Sequence, residues 1–296
     1  MDRKHASDFP QELLNLFDLY QHGDIDRRTF LDRAKVFSVA GMTTGMLFDA
    51  LRPNYGWAQQ VAPDDSRIRA ERVTVTTSDA GYGEIEGLLA RPAQGDSFPA
   101  ILVVHENRGL NPYIEDVARR FAVEGFMAFA PDGLTSLGGF PGTDEEGVKM
   151  FQQIDRMKLL EDFIASVNWL RSRPDSTGKV GAVGFCFGGG VASSLAVRLP
   201  DLNAAVSFYG SAPSAEDAAK IKAPILVHHG EMDTRLVGSW PEYEAALKAA
   251  GVTYEGYIYP GAQHGFHNDT TPRYDEKAAT LAWQRTVAWF NTHLKG

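Results

Sequence analysis

Short apolar segments alternate with longer amphipathic ones along most of the chain. Near-continuous apolar runs occupy residues 100–104, 126–130, 180–184, 204–208 and 225–227. Strands of this kind are typical of a parallel sheet that is covered on both faces. A helical repeat of apolar residues also runs from Phe151 to Leu170 and ends before Arg173-Pro174. Regular alternation of strand and helix predicts an α/β fold with a mostly parallel, doubly wound sheet.

Ahead of these strands, the pattern predicts an antiparallel hairpin and, further upstream, a helical segment. Residues 72–76 and 85–89 are rich in β-forming side chains and flank a turn at residues 79–83. Upstream apolar residues recur at helical spacing in two predicted helices: Phe9, Leu13, Leu16, Phe17 and Tyr20, then Phe30, Ala34 and Phe37. We therefore expect a helical N-terminal extension over residues 1–65 and an α/β domain over residues 66–296. We expect the extension to carry no chemistry and any homo-oligomer to form through it.

The N-terminal extension permits two interpretations of the cellular location. Arg27-Arg28 precedes the uncharged stretch 36–48, and Gly56-Trp57-Ala58 follows it, which is the order of a twin-arginine export segment with a cleavage site. The residues before the arginines are acidic, whereas an export segment is ordinarily basic there. No apolar run reaches the roughly 18 residues of a membrane-spanning helix. We expect a cytoplasmic protein without an integral membrane span, and export to the periplasm is the alternative.

Composition narrows the classes of partner. The chain has 296 residues, of which 44% are hydrophobic and 23% charged, as is ordinary for a globular protein. It carries 29 Lys and Arg against 38 Asp and Glu, a formal net charge of -9. Nucleic acid is therefore not an expected partner, because there is no basic surplus to neutralise phosphates. The single cysteine excludes an intramolecular disulfide.

The residues around Cys186 have the pattern of a nucleophile elbow. An apolar strand ends there, a helical segment follows, and Gly184 and Gly188 stand two positions before and after the cysteine. Such a turn needs glycines because neighbouring backbones leave no room for side chains. A thiolate at this place would lie at a helix N-terminus, where the dipole favours negative charge. The alternative is a small buried apolar residue in a glycine-rich turn.

Two further residues follow in the order of a catalytic triad. Asp233 comes directly after the strand that ends at Gly230, and His264 lies in the loop after the strand 254–259. Nucleophile, acid and histidine in this order are characteristic of one of the triad folds. Other groupings are weaker: His228 and His229 point to opposite faces of a strand, and His267 lacks a carboxylate partner set. We expect no metal and no cofactor.

These segments resemble the dienelactone hydrolase family, the carboxymethylenebutenolidases of the α/β-hydrolase superfamily. The resemblance lies in Phe185-Cys186-Phe187-Gly188-Gly189, Gly230-Glu231-Met232-Asp233, Ala262-Gln263-His264-Gly265-Phe266 and His105-Glu106-Asn107-Arg108-Gly109-Leu110, and it covers about residues 70 to 295. It implies an α/β-hydrolase fold and a triad of Cys186 as nucleophile, His264 as base and then acid, and Asp233 as the orienting carboxylate.

The resemblance also implies roles for residues around the triad. Glu106 matches a glutamate that contacts the resting cysteine, and the backbone N–H groups of Phe187 and Asn107 match the oxyanion hole. We expect Tyr209 to line the pocket, and Arg108, together with Arg273, to pair with Glu106 or bind an anionic substrate. One position departs from the family: the arginine found four residues after the catalytic histidine is Asn268 here. This departure weakens the assignment of the acidic dienelactone itself as substrate.

The predicted function is hydrolysis of a small-molecule ester or lactone through a covalent thioester on Cys186. A broad-specificity carboxylesterase is an alternative, and cleavage of a carbon–halogen bond is another, although enzymes of that kind have Asp in place of Cys186. A thiol redox sensor, in which oxidation of Cys186 is the output, belongs to a different class. A non-catalytic binding module would leave the ordered triad unexplained.

Overall fold

One eight-stranded sheet organises the part of the chain that the computed structural model describes, residues 4–38, 42–57 and 59–296. The strands are β1 (Ile68–Thr76), β2 (Glu84–Pro92), β3 (Phe98–Val104), β4 (Met127–Pro131), β5 (Ser176–Phe185), β6 (Ala204–Phe208), β7 (Ile225–Gly230) and β8 (Tyr254–Tyr259). Their order in the sheet is β1-β2-β4-β3-β5-β6-β7-β8. β1 pairs with β2 and β2 with β4 in antiparallel fashion, and every later pairing is parallel. The predicted hairpin and mostly parallel sheet are confirmed.

Helices cover both faces of this sheet. Their bounds are α1 (Gln11–His22), α2 (Arg27–Ala34), α3 (Thr44–Leu51), α4 (Pro112–Val123), α5 (Asp144–Phe151), α6 (Arg156–Ser172), α7 (Phe187–Arg198), α8 (Ala215–Ala218), α9 (Thr234–Ala249) and α10 (Glu276–Leu294). Alternate residues of β3 face opposite cores: Leu102 packs in the cluster with α6, α7 and α9, and Ile101 in the cluster with α4 and α10. This double burial explains the apolar runs in the sequence.

The helix predicted from Phe151 to Leu170 is in fact two helices. Phe151 ends α5, and α6 begins at Arg156 after a break. Asp155 causes the new start, because its side chain accepts hydrogen bonds from the N–H groups of Met157 and Lys158 and so caps the second helix. The buried apolar residues of α6 are spaced from this new start, beginning with the fully buried Leu159.

The N-terminal helices form a small core of their own. Phe17 of α1 contacts the rings of Phe30 and Phe48, which come from α2 and α3, and all three side chains are buried. The two predicted helices are thus found, although Phe37 lies in a short 3-10 turn, Lys35–Phe37. Within the uncharged stretch 36–48, residues 39–41 lie outside the described residues, as does Ala58 of the predicted cleavage site. Among described residues, no helix is long and apolar enough to cross a membrane.

Candidate active site

Cys186 occupies a strained turn between β5 and α7. Its φ of 56° lies in the left-handed region, which non-glycine residues rarely adopt. A Cβ at Gly184 would overlap the carbonyl of Gly188, and a Cβ at Gly188 would overlap the carbonyls of Val104 and His105. The turn therefore requires glycine on both sides of the cysteine. It places the thiol, 8% exposed, at the carboxyl edge of the sheet and the N-terminus of a helix.

Asp233 and His264 meet at the same edge. Oδ2 of Asp233 lies 2.6 Å from Nδ1 of His264, and Oδ1 accepts a hydrogen bond of 3.2 Å from the N–H of Leu236. The second contact caps α9, so the helix fixes the carboxylate that orients the histidine. The remaining ring nitrogen of His264 and Sγ of Cys186 belong to a group of donor atoms that all lie within 4.8 Å of one another. The structure thus brings the three predicted triad residues together.

The third member of that group comes from the N-terminal extension. Nε2 of His22, the last residue of α1, lies 3.4 Å from Sγ of Cys186, and the rings of His22 and His264 are 5.0 Å apart. Nδ1 of His22 faces Asp18, at 2.9 Å from its backbone oxygen and 3.3 Å from its carboxylate. The expectation that the extension carries no chemistry is therefore in doubt, because the structure places His22 against the thiol and Asp18 against His22.

Charges of alternate sign favour the thiolate. Burial opposes ionisation of Cys186, but the positive charges of His264 and His22, with hydrogen bonds from both, lower its pKa to about 6. Burial likewise opposes protonation of His264, yet the charges of Asp18 and Cys186 and the Asp233 hydrogen bond raise its pKa to about 9. The pKa of His22 also rises, against burial, because of Cys186 and Asp18. These interactions all favour a thiolate beside protonated histidines.

The same three donor atoms are close enough together to hold a metal ion. Each, however, already interacts with its neighbours: both histidines with a carboxylate, and the sulfur with the histidines. These contacts suit acid–base chemistry, which needs no ion.

Two backbone N–H groups in the segments around the elbow have no acceptor among the described residues. They belong to Phe187, the first residue of α7, and Asn107, in the loop after β3. The side-chain amide of Asn107 donates a hydrogen bond of 2.9 Å to the backbone oxygen of Gln21 in α1. These N–H groups are the ones that the resemblance assigns to the oxyanion hole.

Glu106 is buried beside the site but is engaged elsewhere. Its carboxylate pairs with Arg108 at 3.5 Å and accepts a hydrogen bond of 3.2 Å from Asn268. Arg108 also binds Asp144 at 2.8 Å. Among the described residues, Glu106 makes no hydrogen bond or ion pair with Cys186, and the position beside the thiol is taken by His22.

Tyr209 and Arg273 complete the surroundings of His264. The ring of Tyr209, which is almost fully buried, lies 5.1 Å from the ring of His264. Arg273 donates to Asp18 at 2.8 Å and contacts the side chain of Gln21, so it binds α1 and not Glu106.

Residues of α1 line two cavities, and the smaller of them touches the cluster at His264. The larger has a volume of about 430 Å³ and lies between α1, α2 and α5; Gln21, Arg108 and Asp144 are among its lining residues. The smaller, of about 30 Å³, is lined by His264, Arg273 and Asp18. Cys186 lines neither of these two cavities, and α1 contributes lining residues to both.

Two of the other histidines considered in the sequence analysis, His228 and His267, are held by neutral partners. His228 contacts the hydroxyls of Thr286 and Tyr259 at 3.1 and 3.0 Å. His267 contacts the hydroxyl of Tyr113 at 2.6 Å. Burial lowers the pKa of both rings well below the ordinary value, so they are neutral core residues.

Sequence reasoning missed Asp18, Gln21 and His22. Asp18 and His22 are four residues apart on a predicted helix and so lie on one face of it, which is the one local pattern that points to them. Nothing in that spacing indicates which surface the helix packs against.

Known proteins resemble both parts of the chain. A model of the dienelactone hydrolase family matches residues 85–294, and a model described as YqhI-like matches residues 1–40. "Putative hydrolase fragment YghX" of Escherichia coli K12 is 54% identical over 115 residues, 38% of this chain and 97% of that protein. A "Putative carboxymethylenebutenolidase" of Synechocystis is 33% identical over 247 residues, which cover 77% of this chain and 98% of the relative.

Among solved structures, a "Putative Dienelactone Hydrolase" from Klebsiella pneumoniae superposes with a TM-score of 0.67 and 28% identity. The match covers 75% of this chain and 98% of the Klebsiella chain. Helix α1, which carries His22, lies outside the dienelactone hydrolase match and inside the YqhI-like match.

Proposed function

Since this chain belongs to the dienelactone hydrolase family and is a hydrolase with the α/β-hydrolase fold, we propose that it cleaves a small-molecule ester or lactone through a thioester on Cys186. One observation carries the proposal. Cys186 lies in a strained elbow beside His264, whose other nitrogen is held at 2.6 Å by Asp233. This is the arrangement of nucleophile, base and orienting acid that covalent acyl transfer needs.

In the first half of the reaction, the thiolate of Cys186 attacks the carbonyl carbon and forms a C–S bond. The developing oxyanion accepts hydrogen bonds from the N–H groups of Phe187 and Asn107, each worth about 10² to 10³ in rate. The C–O bond of the substrate then breaks, and His264 protonates the leaving alkoxide. Asp233 keeps the ring of His264 in the orientation that this transfer requires.

In the second half, neutral His264 takes a proton from water, and the resulting hydroxide adds to the thioester. The C–S bond breaks, the acid product leaves, and the thiolate of Cys186 is restored. A lactone whose leaving group is an enolate can itself help to activate this water. We therefore expect activated lactones to turn over faster than plain alkyl esters.

Glu106 has a positioning role in this proposal. Its carboxylate is held by Arg108 and Asn268, and the next residue carries one oxyanion N–H. The ion pair thus anchors the loop that presents Asn107. Asn268 supplies an amide where an arginine would present a charge to an acidic substrate, which favours uncharged lactones and esters over the dienelactone acid.

The triad is tested by hydrolysis of a dienelactone and of a short-chain p-nitrophenyl ester. We expect Cys186→Ala to reduce hydrolysis to the uncatalysed rate and His264→Ala to lower kcat by about 10² to 10⁴-fold. His267→Ala is the matched control, because that buried histidine contacts Tyr113 and not the thiol. The ratio of lactone to ester rates reports the effect of Asn268.

Activity that survives Cys186→Ala would overturn the proposal. Absence of turnover by the intact protein on both substrates would also overturn it. In the latter case, peroxide-dependent oxidation of Cys186 becomes the function to test.

A further inference from the structure

Cys186 is in contact with two histidines that come from opposite ends of the chain. His264 reaches it from the loop after β8, and His22 reaches it from the end of α1. Each histidine is backed by an aspartate on its far nitrogen: Asp233 at 2.6 Å and Asp18 at 3.3 Å. The thiol is therefore flanked by two carboxylate–histidine pairs, of which the triad uses one.

The second pair is built into the site by contacts that hold α1 from several sides. Asp18 is bound by Arg273 at 2.8 Å, from the segment that follows His264. The backbone oxygen of Gln21 is bound by the side chain of Asn107, in the proposed oxyanion loop. Gln11 and Gln263 exchange side-chain hydrogen bonds of 2.9 and 2.6 Å. The helix thus docks on both loops that carry reaction-centre groups.

We propose that His22 is a further catalytic residue, which together with Asp18 holds Cys186 as the thiolate, so that α1 is part of the reaction centre. This inference rests on the proposed function, since it takes Cys186 as the nucleophile. The proton of the thiol passes from Sγ to Nε2 of His22, and the resulting imidazolium stays beside the sulfur. His264 then keeps its own proton for the leaving alkoxide.

The same pair acts again when the thioester is cleaved. Breaking the C–S bond returns an electron pair to sulfur, and the imidazolium of His22 stabilises that charge without giving up its proton. His264 meanwhile accepts the proton of the attacking water. In this scheme His22 stabilises the thiolate, and His264 exchanges protons with substrate and water.

The groups that face His22 are few and charged. Asp18 lies on the same helix, Cys186 at the elbow, His264 on the loop after β8, and Arg273 beyond Asp18. Exchange of the His22 side chain for glutamine keeps polarity but removes the charge.

The test is titration of the thiolate by its ultraviolet absorbance, which needs neither substrate nor access to the thiol. Because the chain has one cysteine, the signal belongs to Cys186 alone, and Cys186→Ala supplies the baseline. We expect His22→Gln to raise the midpoint by about 1 to 3 pH units, as loss of an adjacent positive charge does. Asp18→Asn should also raise the midpoint of the thiolate titration. Leu19→Ala, on the exposed side of α1, is the matched control and should leave it unchanged.

Hydrolysis of the p-nitrophenyl ester by the same variants supplies the second readout. We expect kcat of His22→Gln to fall at neutral pH and to recover partly at alkaline pH, where the thiol ionises unaided. An unchanged midpoint and kcat in both His22→Gln and Asp18→Asn would overturn the inference while leaving the triad intact. A gain in kcat in His22→Gln would also overturn it, since His22 would then only block the thiol. Failure of the proposed function is recognised separately, by turnover that does not depend on Cys186.

Discussion

Gly188 and Gly190 stand two positions apart in the same glycine run, but the space around them differs. A Cβ at Gly188 would enter the carbonyls of Val104 and His105, whereas a Cβ at Gly190 would meet nothing closer than 3.5 Å. Both belong to α7. Gly188 is therefore required by the packing of the elbow, whereas at Gly190 only the general preference of helices for residues other than glycine applies.

We expect Gly188→Ala to lower the free energy of unfolding by about 1 to 3 kcal/mol, because the backbone must shift to relieve the overlap. Gly190→Ala should leave it unchanged or raise it by up to about 1 kcal/mol through helix propensity. Urea denaturation of both variants measures the difference. Equal stability of the two variants would contradict the packing around the elbow.

The charges at the site predict how hydrolysis depends on pH. The lowered pKa of Cys186, about 6, means that the thiolate forms as pH rises through that value. The raised pKa of His264, about 9, means that its proton is lost only above that value. We therefore expect kcat/KM to rise through an acid limb near pH 6 and fall through an alkaline limb near pH 9. An acid limb at the ordinary pKa of a thiol would contradict the thiolate state.

At the scale of elements, α1 is held by two different kinds of contact. Its apolar face belongs to the N-terminal core with α2 and α3, and its polar end touches the site. Cleavage after Ala58 would remove this helix, so the export alternative would change the reaction centre as well as the cellular location. The position of His22 therefore depends on a core that the α/β sheet does not supply.

We expect Phe17→Ala to loosen α1 to α3 without unfolding the sheet. Phe17 is buried against Phe30 and Phe48, and removing a buried phenylalanine ring costs about 3 to 5 kcal/mol. Hydrogen–deuterium exchange should rise in α1, α2 and α3 and stay unchanged in β3 and β5. Leu19→Ala, on the exposed face of α1, serves as the control. Faster exchange throughout the sheet would show that the two cores unfold together.

The strands of the sheet and the clustering of Cys186, Asp233 and His264 could be predicted because each leaves a local pattern. Strands that are buried on both faces appear in the sequence as apolar runs, and the tight elbow appears as glycines on either side of Cys186. The break before α6 was missed because Asp155 caps a helix in the middle of a continuous apolar repeat. Capping residues interrupt a helix without interrupting its periodicity.

The docking of α1 was not predictable, because it depends on contacts between residues far apart in the chain. Asp18 and His22 have ordinary helical spacing, and only their contacts with Arg273 and Cys186 show that they belong to the site. For the same reason, the sequence left the partner of Glu106 open between the thiol and an arginine. The structure assigns its carboxylate to Arg108 and Asn268.

At the scale of the whole molecule, the docking of α1 orders events during synthesis. Gln11 and Gln263, like Gln21 and Arg273, are joined across 252 positions of the chain. A ribosome makes α1 long before residues 263–273, so the part of the docking surface that Gln263 and Arg273 supply is absent until late in translation. The nascent sheet can fold and place Cys186 in its elbow while His264 and Arg273 are still unmade. The arrangement around the sulfur is therefore completed late, when residues 264–273 meet a helix made more than 200 residues earlier.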